Sequence, residues 1–198
     1  MYLMVTREMP LGPQFQFIAG NLALDFANTV HSVGEDDPQD DLQTYSDLMV
    51  WAQGANFKGS KDRGEDTSAL AMFKDLRDCI YEIFSAVSGG HNPGAEALAR
   101  FNRHLQSATS TVQICRAHGN YSLRSASSSL NHRLQFEVTR AAAELLLSDK
   151  LSRIRQCAGE TCTWLFLDTS RNGTRKWCEM QACGNRAKIR RFRKRLRG

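Results

Sequence analysis

Long apolar runs are missing from this 198-residue chain, and none approaches the roughly 18 residues needed to cross a bilayer. The opening MYLMVTREMPLGPQFQF has no apolar core followed by a small-residue cleavage site. A cytoplasmic protein that keeps off membranes is therefore expected. Proline is scarce, with four residues, and there is no low-complexity tract or internal repeat. With 41% hydrophobic and 24% charged residues, the composition is that of an ordinary globular protein. Catalytic signatures are also lacking: there is no nucleophile motif, phosphate loop or dinucleotide fingerprint. His31, His91, His104, His118 and His132 are scattered without metal-ligand spacing. An enzyme is not expected.

Negative charge is what the C-terminal quarter lacks. Residues 151–198 hold 13 Lys/Arg against only Glu160, Asp168 and Glu179, a net +10, whereas residues 1–150 carry −5. Such a split points to a polyanion-binding end on a mildly acidic body. We therefore expect two domains, 1–150 and 151–198.

What is present in that basic end is cysteine. Four of the six cysteines, Cys157, Cys162, Cys178 and Cys183, are spaced C-x4-C-x15-C-x4-C. Two close pairs separated by a hairpin-length insert can place four thiolates around one tetrahedral zinc ion. In a reducing cytosol metal ligation is favoured over disulfides, with an iron–sulfur cluster and disulfide pairing as the alternatives. The candidate ligands include no histidine or carboxylate, so a structural zinc is expected. Cys79 and Cys115 stand apart in apolar surroundings and read as small buried side chains.

The insert is expected to form a β-hairpin, with Trp164–Asp168 as first strand, Asn172-Gly173 as turn and Thr174–Trp177 as return strand. Knuckle, hairpin and a helix starting near Cys183 together describe a treble-clef-like module that depends on metal for stability. Its terminal helix carries a narrow apolar stripe, Ile189, Phe192 and Leu196. Arg186, Lys188, Arg190, Arg191, Arg193, Lys194, Arg195 and Arg197 cover the rest. One-signed charge without acidic partners repels itself until a polyanion relieves it. Arg186, Lys188, Arg190, Arg191, Arg193, Lys194 and Arg195, with Arg171, Arg175 and Lys176 at the hairpin turn, are the candidate DNA contacts. Arg186 has a second reading, as a donor that offsets the negative thiolates.

The rest of the chain reads as mainly helical. A short helix is expected from Leu22 to about Val30, and another over 42–55 capped by Thr44 or Ser46. Leu70, Phe73, Leu76, Ile80, Ile83, Phe84 and Val87 mark the clearest amphipathic helix, followed by a shorter one from Ala95 to Leu105. Residues 111–127 switch to strand periodicity around His118-Gly119-Asn120, and a last helix runs from about Asn131 to Leu147. The fold class is thus α+β, mainly α: a helical N-terminal domain with a small hairpin, plus the finger. Asn21, Asp25, Asn28 and Thr29 share one side of the first helix. They form a ligand site or polar network if that side faces inward, and an ordinary polar stripe if it faces water. The body is a candidate for sensing a small-molecule effector or for homodimerisation.

WLFLDTSRNGTRKWC followed by CGNRAKIRRFRKR resembles the CGNR zinc-finger proteins. The usual N-terminal partner of that finger is the ABATE domain, whose opening signature is similar to Leu22-Ala23-Leu24-Asp25-Phe26-Ala27-Asn28-Thr29. The resemblance implies a bacterial, stress-related transcription regulator whose four cysteines bind zinc and whose CGNR segment binds DNA. RNA or ribosome binding and a protein-adaptor role are the rival readings of the same basic surface.

Overall fold

The computed structural model describes residues 15–31, 39–57, 66–117 and 119–196. Residues 1–14, 32–38, 58–65, His118, Arg197 and Gly198 lie outside the described residues. In chain order the elements are α1 (Leu22–Ala27), β1 (Val30–His31), β2 (Gln39–Asp40), α2 (Tyr45–Gly54), α3 (Thr67–Ser88), α4 (Ala95–Thr109), β3 (Val112–Ala117) and β4 (Asn120–Ser125). They continue with α5 (Leu130–Leu146), a 3-10 turn (Asp149–Arg153), β5 (Ile154–Gln156), β6 (Leu165–Leu167), a π-helical turn (Met180–Gly184) and α6 (Asn185–Leu196). The strands form three separate antiparallel pairs, so the fold is mainly helical.

Local chemistry sets the helix starts. Asn21 Oδ1 accepts from the Ala23 N–H, Asp66 Oδ1 from the Ala69 N–H, and Thr44 with Asp47 forms a reciprocal capping box. α1 ends at Ala27 rather than continuing to Val30, which opens β1 instead. At 22 residues α3 spans about 33 Å and is the spine of the molecule. Its buried stripe of Phe73, Leu76, Ile80, Ile83 and Phe84 meets α1, α4 and α5. Phe26 of α1 packs on Trp51 at 4.8 Å between ring centroids and edge-on to Phe73 at 6.1 Å.

This core does not stop where the charge changes sign. Ile154, Leu165, Phe166 and Leu167 belong to it, as do Cys157, Cys178 and Cys183. β5 packs against α3, and β6 against both α1 and α3. The segment 148–156 contributes a strand and a fully buried isoleucine.

Three expectations are corrected. β6 pairs with β5, in the register Ile154↔Leu167 and Gln156↔Leu165, and no strand forms over 174–177. Pairing with β5 buries all three residues of β6, which a two-strand finger hairpin projecting into solvent would not do. The turn also differs: Gly173 has φ +63° but Asn172 does not adopt positive φ, so the tight Asn-Gly turn is absent. Cys115, unlike the fully buried Cys79, is only half-buried, because the β3–β4 hairpin projects from the body with Ile114, Tyr121 and Leu123 exposed.

Candidate metal centre and its junction with the body

The four cysteines converge. Their Sγ atoms all lie within 4.8 Å of one another, with Cys162–Cys178 at 3.7 Å and Cys178–Cys183 at 3.6 Å. Cys157 follows β5 directly, and its Sγ accepts from the Cys178 backbone N–H at 3.3 Å. The knuckle between Cys157 and Cys162 needs Gly159, where a Cβ would come within 2.8 Å of the Cys162 Cβ. Crowding makes the thiols share protons. Hydrogen bonds from Cys162 and Cys178 pull the Cys157 thiol well below its ordinary range, and donating to Cys157 pushes Cys162 up. A single dication replaces those shared protons. Four converged thiolates with no histidine or carboxylate among them are a closed, tetrahedral-type donor set, and they fit one structural Zn²⁺.

The residues after Cys183 are shaped by the same centre. A Cβ at Gly184 would run into the Met180 sulfur and crowd the Trp177 ring. The Asn185 side-chain amide donates to the Gln181 carbonyl at 2.9 Å and closes the π-helical turn. Arg186 donates to Cys183 Sγ at 3.2 Å, and this thiolate contact raises the guanidinium's pKa further. Ligand, close approach, cap and counter-charge thus occupy four successive residues.

A second polar system joins this centre to the helical body. The Asn28 carboxamide donates to the Leu165 carbonyl and accepts from the Leu165 N–H, both at 2.8 Å, pairing like one more strand with β6. The Leu167 N–H donates to the Ala19 carbonyl at 2.8 Å, and Tyr81 Oη donates to the Thr163 carbonyl at 3.0 Å. Trp164 stacks on His31 at 5.3 Å and donates its indole N–H to His31 Nδ1 at 2.8 Å. An indole can only donate, so that Nδ1 carries no proton. The ring proton sits on Nε2, which faces Asp41 Oδ2 at 2.6 Å. Trp164 also accepts the Cys157 backbone N–H through its carbonyl, so one residue touches both the metal knuckle and the body.

Two family models cover this arrangement end to end. Residues 20–149 match the ABATE model, described as "Putative stress-induced transcription regulator", and residues 153–196 match the CGNR zinc finger. The chain belongs to the ABATE family. No curated protein matches it. Inside the ABATE region the four polar residues of the first helix have distinct places. Asn21 caps α1 and reaches the Ala141 carbonyl at 3.4 Å; Asn28 holds β6; Thr29 donates to the Phe26 carbonyl at 2.8 Å. Asp25 accepts from the Ala19 N–H at 2.9 Å, and its burial pushes the carboxyl up to about 6. Asp25, Asn28 and Thr29 line one cavity of about 150 Å³, together with His31, Asp41 and Trp164; Asn21 does not.

The cationic candidates of the CGNR region divide into two groups. Lys188, Arg191, Arg193, Lys194 and Arg195 are exposed on α6, and Arg171 and Lys176 are exposed on the preceding loop. Arg175 turns inward instead: it donates to the Trp177 and Cys178 carbonyls and lies 4.5 Å over the Phe166 ring. Arg186 is held by Cys183, and Arg190 pairs with Glu160 of the knuckle at 2.5 Å. Asp168, His31 and Trp164 are the residues that sequence reading passes over. Asp168 is fully buried and its carboxylate accepts from the Ser170 N–H and hydroxyl and from the Arg175 N–H, which organises the loop in place of a return strand. An acidic residue two positions before a serine in a basic segment is the available signal for it. Nothing local marks the His31–Trp164 pair, whose partners lie 133 residues apart.

Proposed function

We propose that this chain is a zinc-dependent DNA-binding transcription regulator of the bacterial cytoplasm, with no enzymatic activity of its own. The supporting observation is α6. Its twelve residues carry Arg186, Lys188, Arg190, Arg191, Arg193, Lys194 and Arg195 and no acidic residue, and it starts two positions after a metal ligand. A closed metal centre fixes the helix N-terminus, and the exposed cations other than Arg186 on Cys183 and Arg190 on Glu160 are left to phosphates, which position a protein on the duplex before any base is read. No described helix is long and apolar enough to cross a membrane.

The test is a binding titration of zinc-loaded full-length protein against duplex DNA and structured RNA across salt concentrations. DNA binding predicts preference for the duplex and log K falling with log salt at about −0.9 per neutralised phosphate. Preference for RNA at matched salt would transfer the reading to an RNA- or ribosome-binding module. One observation favours an adaptor as the second reading: Ile189, Phe192 and Leu196 are 51%, 62% and 71% exposed along α6. An apolar stripe left uncovered suits a protein partner. That reading gains if nucleic acid binds only weakly and without sequence preference above ~150 mM salt.

A further inference from the structure

The cavity at the body–finger junction has features that a packing void lacks. About 150 Å³ is the space of a benzene-sized molecule, several times that of one water. Among the described residues its wall includes Asp25 and Asp41 and contains no lysine or arginine. Asp25 is only 9% exposed, and among the described residues its recorded partners are backbone N–H groups, with no cation paired to it. Asp41 faces His31 Nε2 at 2.6 Å, and the indole N–H of Trp164 occupies His31 Nδ1 on the other side of the ring. Among the described lining residues, Asp41 is thus paired with an imidazole, and Asp25 has no side-chain cation beside it. A desolvated carboxylate such as that of Asp25 is costly, and a bound cation removes the cost.

The remaining lining narrows the cation. Thr29 spends its hydroxyl proton on the Phe26 carbonyl, which leaves an acceptor facing outward from the bond. The Trp51 indole forms another wall, and Phe15 and Trp164 add aromatic faces. Acceptors with aromatic faces suit an ammonium group carrying a short apolar body, through hydrogen bonds and cation–π attraction. A bare metal ion fits poorly: the cysteine cluster is the one group of described residues whose ligand atoms converge, and Asp25, Asp41 and His31 do not belong to it. Anions are opposed by the carboxylates.

We propose that this cavity binds a small protonated amine of about six non-hydrogen atoms, held by Asp25 and Thr29 against Trp51 and Trp164, and that occupancy is transmitted to the zinc knuckle through Trp164. The route is short. Trp164 forms the wall, bonds to His31, and through its carbonyl holds the N–H of the ligand Cys157 at 2.8 Å. The inference stands whether or not α6 binds DNA.

The experiment uses zinc-loaded full-length protein at about pH 7.5, where an alkylamine is protonated. Pentylamine, 1-pentanol and pentanoate, matched in size, are titrated by calorimetry and by tryptophan fluorescence. The expected result is one saturable site for pentylamine, with the alcohol and the carboxylate at least ~10-fold weaker, a difference of about 1.4 kcal/mol. Asp25→Asn keeps an oxygen for the Ala19 N–H and should weaken the amine by the same factor or more. Gln16→Trp, at an exposed lining position, should block entry without touching the core. Transfer of zinc to a chelator, followed in parallel, should slow when pentylamine is bound. Three outcomes overturn the site: no saturable amine binding up to ~10 mM, equal binding of pentanol, or undiminished binding by a folded Asp25→Asn protein. Amine binding with unchanged zinc transfer overturns the coupling.

Discussion

Asp25 shows how one buried side chain can set a pH dependence for the whole molecule. Its folded-state carboxyl stands at about 6 against 3.8 for a free aspartate, and desolvation is the largest cause. A pKa raised on folding means that the folded state holds its proton more tightly. Stability is therefore lost as pH rises from about 4 through about 6 and stays level above that. The rise corresponds to about 3 kcal/mol at neutral pH. Asp25→Asn removes the ionisation and keeps the acceptor for Ala19. Denaturant unfolding should find the variant more stable by 1–3 kcal/mol near pH 7.5, with the advantage gone by about pH 4. Identical pH profiles for variant and parent would sink the argument, since the substitution leaves the other described lining residues unchanged. Only part of this is legible in the sequence. The i, i+4 and i, i+3 spacing of Asn21, Asp25 and Asn28 places them on one helix side, but whether that side faces water depends on what covers it. The cover is β6, more than 130 residues away.

Among the elements, those governed by local rules are the ones a sequence reading locates well. α3 announces itself by periodicity, α2 by its Thr44 capping box, and the β3–β4 hairpin by a change of period. The finger hairpin is the failure, and the reason is non-local. Trp164–Asp168 has strand character and Asn-Gly is a strong turn signal, so local logic pairs 164–168 with 174–177. The body offers β6 a better surface, where β5, α1 and α3 bury Leu165 and Phe166 completely. Asp168 then supplies the turn's hydrogen bonds from a side chain. α6 is an element of the opposite kind, since little of it packs: Ala187 is its one buried residue. Its cations beyond Arg186, which is held by Cys183, can be changed at little structural cost. Replacing Arg190, Arg191 and Arg193 with Gln should leave zinc content and melting temperature unaltered and flatten the salt slope of DNA binding by up to about 3. Arg190 contributes less to that change if it stays on Glu160. A slope unchanged in the triple variant would place the contact surface elsewhere, with exposed Arg171 and Lys176 next to test.

At the scale of the whole molecule, the metal centre and the helical body are parts of one core, and this alters what zinc should do. A self-contained finger would unfold alone on losing its metal, because so short a segment buries too little to hold itself together. Here Cys157, Cys178 and Cys183 sit in the same apolar cluster as Phe26, Phe73 and Phe84. β6 also closes over Asn28, whose carboxamide would be left buried and unpaired if the strand departed. Structural zinc binding in finger peptides is worth about 10–16 kcal/mol, comparable with the full stability of a domain. Chelation, or Cys178→Ser, should therefore lower the melting temperature of the body helices as well and still give a single transition by circular dichroism. Amide exchange supplies the local readout. The Leu165 N–H, bonded to Asn28 Oδ1, and the Leu167 N–H, bonded to the Ala19 carbonyl, should lose protection together with amides of α1 and α3. Separate transitions, with the α3 amides as protected without zinc as with it, would mean that the shared core carries little energy. In that case the route from the cavity through Trp164 to the knuckle would have nothing to act on. Shared loss of protection would show that binding at one end of the molecule is felt at the other.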